Sequence, residues 1–361
     1  MHPDIPNELL LHIFENLEDG PSLLAVILTC HRFHQLGVET LLRTVVWNTE
    51  DKAENAVAFL EDNPHLMRFP RSLAIHPEGG VAPWNSIWRR PITFINLNHL
   101  SLRHLTLSTG FYDFLVNAPR DLTHLAIDSC VVEEPPLWFS SSAHPPIPIT
   151  HLSLGVDYAS LEQVHSLFDL GLPHPTLAFI EELRLLQSLT TDLWVAVSQP
   201  PTALARLTSF TSTGVMVKVP FDVWRYLNQL LGRAENLVEL EMSSCSAANT
   251  DGMRVVPPFV TARKMERFVG PAHLATSIVR AAPALVSLVI KQPAVEIQTR
   301  VEAVNFNCGR KAGLRRLVVG WGKQVLRVIF ESWHSESQTV QVEGVQEGER
   351  RSLCGVPDAG I

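Results

Sequence analysis

The sequence predicts an α/β chain in which a small helical module precedes a long solenoid, with parallel strands on its concave face and helices on its convex face. Three observations predict this architecture. A short apolar phrase recurs along most of the chain, the segments between its copies have helical apolar spacing, and the first 47 residues lack the phrase. A phrase that recurs in this way indicates repeats that stack and bury their apolar faces against each other.

The composition is that of a globular chain. Of its 361 residues, 46% are hydrophobic and 18% are charged, and the formal net charge is -8. No block of Lys or Arg is long enough to indicate nucleic acid or an anionic membrane as a partner. Residues 1–6 lack the features of a secretory signal, and no apolar run approaches the ~20 residues that span a bilayer. We therefore expect a soluble intracellular protein, in the cytoplasm, the nucleus or both.

The cysteines are odd in number, scattered and without a CxxC pair, which favours a reducing compartment. They are Cys30, Cys130, Cys245, Cys308 and Cys354. If Cys130 and Cys245 lie on the third and seventh strands of one parallel sheet, about 19 Å separates them. A disulfide needs Cα atoms within ~7 Å of each other, so we expect both thiols to be reduced and buried.

The N-terminal module, residues 1–47, is dense in apolar residues at helical spacing. Pro6 and Glu8 suit the first turn of a helix. Three helices are expected to carry these apolar residues: Leu9, Leu10, Ile13, Phe14 and Leu17, then Leu23, Leu24, Ile27 and Leu28, then Phe33, Leu36, Leu41 and Leu42. Residues 44–47 are predicted to form a short strand. A module this small has little core of its own, so its excess of apolar residues indicates a partner.

Three pieces of the module carry a family resemblance: IPNELLLHIFENL at residues 5–17, LL at 23–24 and TCHRF at 29–33. In this order they resemble an F-box. The resemblance implies docking onto the Skp adaptor, and through it the cullin, of a Skp-cullin-F-box ubiquitin ligase. By position, the adaptor contacts that it implies are Pro6, Leu9, Leu10, Ile13, Phe14, Leu23 and Leu24. The alternative for each of these apolar side chains is packing inside the module.

The clearest copy of the repeated phrase is LVELEMSSC at residues 237–245, where Leu237, Leu240 and Met242 alternate with mostly polar residues. Cys245 stands where a leucine-rich repeat carries the buried Asn or Cys that closes its strand. The central residues of the predicted strands are Leu73, Leu105, Leu125, Leu152, Leu183, Phe210, Leu240, Phe268, Leu288 and Leu317. Their mean spacing of about 27 residues lies within the range of leucine-rich repeats. The steps are uneven, so we predict an irregular array that resembles the degenerate leucine-rich regions behind fungal F-boxes.

The array is predicted to occupy residues 66–333, after a linker helix at 48–65 and before a disordered polar tail at 334–361. Helical spacing between strands is clearest at 161–170, 221–231 and 274–282. A cap is expected after Trp321, at 325–333, because a solenoid must cover its last apolar face. Trp84 and Trp88 lie on a Pro-rich loop, where packing against the array is favoured over a binding edge.

Residues that flank the central leucines should face outward, because side chains alternate along a strand. Stacked strands would then present one concave surface for a protein target. Along the predicted order of the strands, the residues on this surface change from histidine to acidic and then to basic. The residues expected on it are His104, His124, His151, Glu182, Arg184, Glu239, Glu241, Arg267 and Arg316. The acidic middle, with Glu182, Glu239 and Glu241, is expected to accept a basic segment of the target.

Histidines at one register in three successive strands raise a metal hypothesis, because neighbouring imidazoles suit zinc. The same spacing follows from repetition of Thr-His-Leu, and no Asp, Glu or Cys stands at that position to complete the ligand set. We therefore predict no metal site. The alternative use of stacked imidazoles is binding that depends on pH near neutrality.

No sequence motif indicates catalysis, since GxSxG, HExxH and GxxxxGK[ST] are all missing. We expect no cofactor and no enzymatic activity. The function predicted is that of a substrate receptor, which binds the adaptor through its N-terminal helices and a target through the array. A leucine-rich scaffold, in which the F-box-like segment only caps the solenoid, is the alternative. An enzyme with a dispersed site is a third possibility.

Overall fold

The computed structural model describes residues 5–17, 20–79, 84, 87–88, 94–133, 135–136, 138–139, 144–155, 179–180, 182–191, 202–215, 230–244, 261–270, 272–292, 316–321, 324–329 and 341–346. The chain divides into two compact units, Met1–Leu186 and Gln187–Ile361, which are called the N-terminal unit and the C-terminal unit. Of the predicted inter-strand helices, residues 161–170 and most of 221–231 lie outside the described part. Cys245 does as well.

Three helices open the N-terminal unit, as the apolar spacing predicts. They are α1, Asn7–Glu15, α2, Gly20–Ile27, and α3, His31–Arg43. One core joins them, in which Leu10 and Phe14 of α1 meet Leu23 and Ile27 of α2. Partly buried apolar residues pack around this core: Leu17, Val26, Phe33, Leu36 and Leu41. Each inward pair is spaced i, i+4, which places both of its side chains on one side of the helix.

Helix α3 leads directly into a strand, β1, Thr44–Trp47, which is also the first strand of a parallel sheet. Between β1 and β2, Ser72–Ile75, the chain forms helix α4, Glu50–Asp62, and a short 3-10 turn, Pro64–Leu66. The Thr49 hydroxyl caps α4 by accepting the N–H of Lys52, and Glu50 and Asp51 suit its positive end. Strand β1 occupies the predicted position 44–47, and α4 lies within residues 48–65, where a linker helix is predicted.

The sheet of the N-terminal unit continues with β3, His99–Arg103, β5, His124–Asp128, and β7, His151–Gly155, each parallel to the one before it. The central apolar residues pair across it in the order Val45, Leu73, Leu100, Leu125, Leu152. A small second sheet pairs β4, Thr106–Leu107, with β6, Val131–Val132, and α5 spans Thr109–Val116. Leucines and isoleucines point to one side of the main sheet and are buried.

The predicted position of the strand around Leu105 is wrong by five residues. Leu100, and not Leu105, pairs with Leu125. The sequence offers two overlapping alternations there, one around Leu100 and one around Leu105, and both leucines are buried. His104 has a φ of 52°, in the left-handed region, which ends the first alternation. Leu105 instead donates its N–H to the Cys130 thiol at 3.4 Å.

The loop tryptophans pack inward, as predicted. Trp84 and Trp88 are buried, and the Trp88 ring lies 5.4 Å from that of Phe111 and 5.5 Å from that of Phe114. This packing joins the loop to helix α5, so neither indole is available as a binding edge.

The C-terminal unit also contains a parallel sheet. Its strands are β8, Ser188–Thr191, β9, Ser209–Val215, β10, Glu239–Ser244, β11, Arg267–Gly270, β12, Ser287–Gln292, and β13, Arg316–Trp321. The predicted central residues Phe210, Leu240, Phe268, Leu288 and Leu317 pair in one register. A 3-10 turn spans Thr202–Arg206, and α6 spans Ala272–Ala281, as its apolar spacing predicts.

The predicted strand around Leu183 is also displaced, because the strand is β8 and its central residue is Leu189. Leu183 is buried in a turn, where its N–H donates to the carbonyl of Ile180 at 3.1 Å. The phrase of β8 ends in Thr191, which is buried although it is polar. An apolar residue ends most other phrases, so this copy was not visible as a repeat. Glu182 and Arg184 consequently lie in the turn and not on a strand.

Two antiparallel strands follow β13: β14, Gln324–Ile329, and β15, Gln341–Gln346. Strand β14 covers the first part of residues 325–333, the segment predicted to cap the array. The expectation of disorder across 334–361 is wrong for β15, because the exposed edge of β14 offers unpaired backbone groups that a further strand satisfies. Among the described residues, no helix is both long and apolar enough to cross a membrane.

Candidate interaction surfaces

Helix α1 carries two adjacent apolar stripes. Leu10 and Phe14 point into the module and are buried, whereas Leu9 and Ile13 are 55% and 49% exposed. Each stripe has i, i+4 spacing, and the two lie one residue apart, which is about 100° around a helix. A single core can cover only one of them, so the second remains on the surface.

Helix α2 repeats this arrangement. Leu23 and Ile27 are buried, whereas Leu24 and Leu28 are 45% and 70% exposed. Ile5 and Pro6, which precede α1, are exposed as well. We define the exposed apolar set as Ile5, Pro6, Leu9, Ile13, Leu24 and Leu28. Exposed leucines and isoleucines concentrated on two short helices indicate a surface that another protein covers.

Three of the residues expected to contact a partner occupy the core instead. Leu10, Phe14 and Leu23 are almost fully buried, so their side chains offer no surface to another protein, and this part of the expectation is corrected. Their role is to hold α1 and α2 in place. Conversely, sequence reasoning did not assign Ile5 and Leu28 to the interface. The signal that could have found Leu28 is the second i, i+4 pair that it forms with Leu24.

Two sets of polar side-chain contacts hold α1 against α3. At one end, the Arg32 guanidinium donates to Asn7 Oδ1 at 2.7 Å and to the carbonyl of Ile5. At the other end, Arg43 donates to Glu15 at 2.7 Å. The first contact joins the N-terminal ends of α1 and α3, and the second joins their C-terminal ends. The two helices therefore run in the same direction. This orientation fixes where the exposed stripe of α1 faces.

In the sheet of the N-terminal unit, a row of histidines lies on the face opposite the leucines. His99, His124 and His151 are directly paired across β3, β5 and β7. The rings of His124 and His151 are stacked, with centroids 4.2 Å apart and planes 8° apart. The rings of His99 and His124 are 6.0 Å apart and tilted by 33°. The fold therefore aligns three imidazoles in one row.

His104 was expected in this row and does not belong to it. It follows β3 and has the left-handed backbone described above, whereas His99 takes the position next to His124. The correction follows directly from the five-residue displacement of the strand. The general expectation of neighbouring histidines holds with His99 in place of His104.

Threonine hydroxyls orient two of the rings. Thr123 Oγ1 lies 2.9 Å from His124 Nδ1, and Thr150 Oγ1 lies 2.9 Å from His151 Nδ1. Partial burial lowers the pKa of His99 and of His151 below the ordinary value, and the neighbouring His124 lowers both further. Protonating one ring disfavours protonation of the next, because like charges repel at these separations.

The row does not resemble a metal site. Face-to-face rings point their nitrogens side by side and not toward a common centre, and Nδ1 of two rings is already engaged by threonine. In the part of the chain that the structure describes, no group of three His, Cys, Asp or Glu side chains is placed to hold a metal ion.

Other polar residues share this face. Arg103 Nε donates to Asp128 Oδ2 at 2.7 Å across β3 and β5, and both side chains are about half exposed. His76, which follows β2, lies 3.0 Å from Ser101 Oγ through Nε2. We call the outward set of His76, His99, Arg103, His124 and His151 the histidine face. Its polar character contrasts with the apolar set on α1 and α2.

The corresponding face of the C-terminal unit has a different charge. Glu239 of β10 is 3.5 Å from Arg267 of β11, and both are about half exposed. Glu241 lies two residues further along β10, on the same side. Glu182 and Arg184 belong to the N-terminal unit, where they form their own pair at 3.5 Å in the turn before Leu186. The side chain of Arg316 lies outside the described residues.

Comparison with known proteins gives one finding for the N-terminal part of the chain. Residues 2–46 match the family model described as F-box-like. A search of curated proteins gave no match. The matched range covers α1, α2, α3 and nearly all of β1. The helical module at the start of this chain is therefore an F-box-like domain.

Proposed function

We propose that this chain is a substrate-recognition subunit of a Skp-cullin-F-box ubiquitin ligase. F-box domains typically bind the Skp adaptor in such complexes, and F-box proteins are generally non-catalytic adaptors. In this proposal the F-box-like domain binds the adaptor and, through it, the cullin, while the outward faces of the sheets bind a protein target. The chain performs no chemistry itself. It raises the concentration of the target near the enzyme that carries ubiquitin.

The observation that carries the proposal is the exposed apolar set on a domain of this family. Leu9, Ile13, Leu24 and Leu28 are each about half exposed or more, although their neighbours one residue away are core. Burying the exposed part of such a side chain on docking contributes about 1 kcal/mol, roughly half of what full burial of a leucine or isoleucine gives. Several of them together supply the driving force for a stable hydrophobic interface with the adaptor.

The way the domain joins the sheet also supports the proposal. All of strand β1 except Trp47 belongs to the matched range, and the strand pairs with β2 over its full length. The Arg71 N–H donates to the carbonyl of Arg43 at 2.9 Å, and the Arg71 side chain lies 3.8 Å from Glu39 of α3. No flexible linker separates α3 from the first strand of the sheet. A target on the face of this unit would therefore be held at a defined position relative to the adaptor.

The parallel strands support an irregular leucine-rich-repeat solenoid as the architecture that presents the target surface. Strands in register, each with a buried central leucine or phenylalanine, are what such repeats require. The placement of the protein in the cytoplasm, the nucleus or both is part of the same proposal, because ubiquitin ligases of this type act on intracellular targets.

The test is co-purification of the full chain with a Skp adaptor. We expect the wild-type chain to bind, and Ile13→Asp to abolish binding because it places a charge in an apolar interface. Phe59→Asp is the matched control, since Phe59 is an apolar residue of similar exposure, 52%, on helix α4 outside the matched range. Circular dichroism verifies that both variants keep the helices.

Two outcomes would contradict the proposal. The first is a wild-type chain that fails to bind the adaptor under conditions where another F-box protein binds. The second is equal loss of binding in Ile13→Asp and Phe59→Asp with both variants folded, which would mean that the exposed stripe of α1 is not the interface. Either outcome would leave the leucine-rich scaffold as the better description.

A further inference from the structure

The N-terminal unit carries a surface that is rich in histidine and arginine in a chain whose net charge is -8. We infer that the histidine face, together with Arg71 and Arg120 at the strand starts, binds an acidic segment of a partner protein more tightly as the pH falls. This inference rests on the proposed function, because the acidic segment would belong to the target. The bound segment of the target would be acidic, and a fall in pH would favour its capture.

The first support is the row of imidazoles. His99, His124 and His151 stand side by side on three strands, with ring centroids 6.0 and 4.2 Å apart. The threonine contacts at Nδ1 hold two of the rings in a fixed orientation. A row with this spacing follows the strand-to-strand repeat of about 4.8 Å, so it presents several donors in a line to an extended chain that crosses the strands.

The second support is a depression at the strand starts that borders the row. Its volume is about 430 Å³, and it is lined by Arg71, Asn96, Asn98, Arg120, Asp121 and Thr123. Asn98 and Thr123 directly precede His99 and His124. Guanidinium groups and side-chain amides are donors that suit carboxylates. The lining holds one carboxylate, that of Asp121, beside the guanidinium groups of Arg71 and Arg120. Arg71 also lies 3.8 Å from Glu39 of α3, in a pair that is about half exposed and therefore weak.

The third support is the charge that surrounds the row. Asp128 is the carboxylate on the outward side of β5, and Arg103 of β3 already pairs with it at 2.7 Å. The outward residues of β2, Ser72 and Ala74, carry no charge. Beyond β2, His76 adds a further imidazole, beside Arg103 and His104. On the described strands of this unit, no unpaired carboxylate opposes an incoming acidic segment.

The direction of the pH dependence follows from the ionisation of the row. Burial, and after it the neighbouring His124, lower the pKa of His99 and of His151 from the ordinary value, and burial together with Arg103 lowers that of His76 against a smaller opposing effect of Asp128. These three imidazoles are therefore mostly neutral above neutral pH and gain positive charge as the solution becomes more acidic. A bound carboxylate favours the protonated imidazole, so binding takes up protons. Affinity must then rise as the pH falls through this range.

The test uses the full chain and a fluorescein-labelled octaglutamate peptide, with binding followed by fluorescence anisotropy at pH 5.5 and 7.5 and low ionic strength. Glutamate side chains remain largely ionised at pH 5.5. We expect octaglutamate to bind about tenfold tighter at the lower pH, the change that uptake of roughly half a proton produces over two pH units. Octaglutamine and octalysine are expected not to bind at either pH.

Variants locate the site. The double substitution His99→Gln and His151→Gln should remove most of the pH dependence, because it removes two of the three imidazoles from which that dependence is derived, and Arg120→Gln should weaken binding at both pH values. Asp128→Asn should tighten binding, because it frees Arg103. His65→Gln and Arg263→Gln are matched controls, since both residues are exposed and lie outside the face. Circular dichroism confirms that each variant is folded, and the opposite signs expected at Arg120 and Asp128 separate a charge effect from a loss of structure.

The inference is overturned if octaglutamate does not bind, if its affinity is unchanged between the two pH values, or if the His99→Gln, His151→Gln double variant and Arg120→Gln bind as the wild type does. These outcomes are separate from adaptor binding. A chain that co-purifies with the adaptor but ignores octaglutamate disproves only this inference. A chain that binds octaglutamate but not the adaptor supports the inference and contradicts the proposed function.

Discussion

The F-box-like domain and the sheet that follows it handle their apolar residues in opposite ways. On α1 and α2, leucines and isoleucines occupy both a buried stripe and an exposed stripe, as Leu10 beside Leu9 illustrates. On β3, β5 and β7, the leucines are buried and the outward positions are histidine, serine, alanine and charged residues. Strand β1 connects the two regions directly. They are therefore parts of one structure that differ in the side chains they expose.

The difference indicates two kinds of binding. A parallel strand places alternate residues on opposite faces, so the apolar half of the phrase is satisfied within the molecule. Two adjacent helical stripes cannot both be satisfied within three short helices. The F-box-like domain is therefore suited to a hydrophobic partner, and the sheet to a polar one. Substitutions in the two regions can test this division.

Removal of a buried ring from the F-box-like domain should affect stability far more than removal of an exposed ring from the neighbouring helix α4. Phe14→Ala removes a fully buried ring that packs edge-to-face on Phe33 at 5.7 Å. We expect a loss of about 3–5 kcal/mol in the free energy of unfolding, as for other large core truncations. Phe59→Ala, which removes an exposed ring from α4, is expected to change it by less than about 0.5 kcal/mol. Urea denaturation followed by circular dichroism measures both.

The two regions should also differ in thiol reactivity. Cys30 at the start of α3 is exposed, whereas Cys130 in the sheet region is partly buried and contacts Leu105 N–H and the carbonyl of Asp128. Burial raises the pKa of the Cys130 thiol to about 11. Its thiolate population near pH 8 is then about a hundredfold below that of an ordinary thiol. Labelling with iodoacetamide, resolved by peptide mass spectrometry, should modify Cys30 far faster. Comparable rates would show that this part of the sheet opens readily.

Packing between α2 and α3 depends on a glycine. A Cβ at Gly37 would lie only 2.0 Å from Ile27 Cγ2, too close without movement of a helix. We expect Gly37→Ala to destabilise the domain by about 1–3 kcal/mol, the usual cost of overpacking. Gly20→Ala is the control, because a Cβ at Gly20 would meet nothing within 4 Å. Equal midpoints for the two variants in a urea titration would mean that α2 and α3 are not packed as described.

The polar face of the sheet should contribute little to stability. Arg103 and Asp128 form a short ion pair, but both are about half exposed, so water screens them. We expect Asp128→Asn to change the free energy of unfolding by less than about 1 kcal/mol. A larger loss in urea denaturation would show that this face has a structural role, and would weaken its assignment to binding.

Much of the architecture could be predicted from the sequence because periodicity reports which side of an element is buried. The spacing of Leu125, Leu152, Leu240 and Leu288 predicts parallel strands in register. In the structure Leu125 pairs with Leu152, and Phe268 pairs with Leu240 on one side and with Leu288 on the other. The helical spacing at the N-terminus predicts the three helices of the domain. Both results follow from local pattern alone, since a period of 2.0 or 3.6 residues is a property of the chain and not of its surroundings.

Other features could not be decided from the pattern. The sequence contains overlapping alternations around Leu100 and Leu105, and only the pairing with β5, together with the left-handed turn at His104, selects the first. Thr191 is polar although it is buried, so the alternation in β8 did not match the apolar phrase of the other strands. The histidine row depends on this choice, because a displacement of five residues replaces His104 by His99.

Local periodicity is enough to predict that the first helices carry more apolar residues than they can bury, and that parallel strands follow. Packing between the helices selects which of two adjacent stripes faces the core, so that Phe14 holds the domain together while Ile13 remains available to a partner. Periodicity fixes the angle between side chains on one helix. It does not fix the rotation of that helix against its neighbours, which packing across α1, α2 and α3 sets.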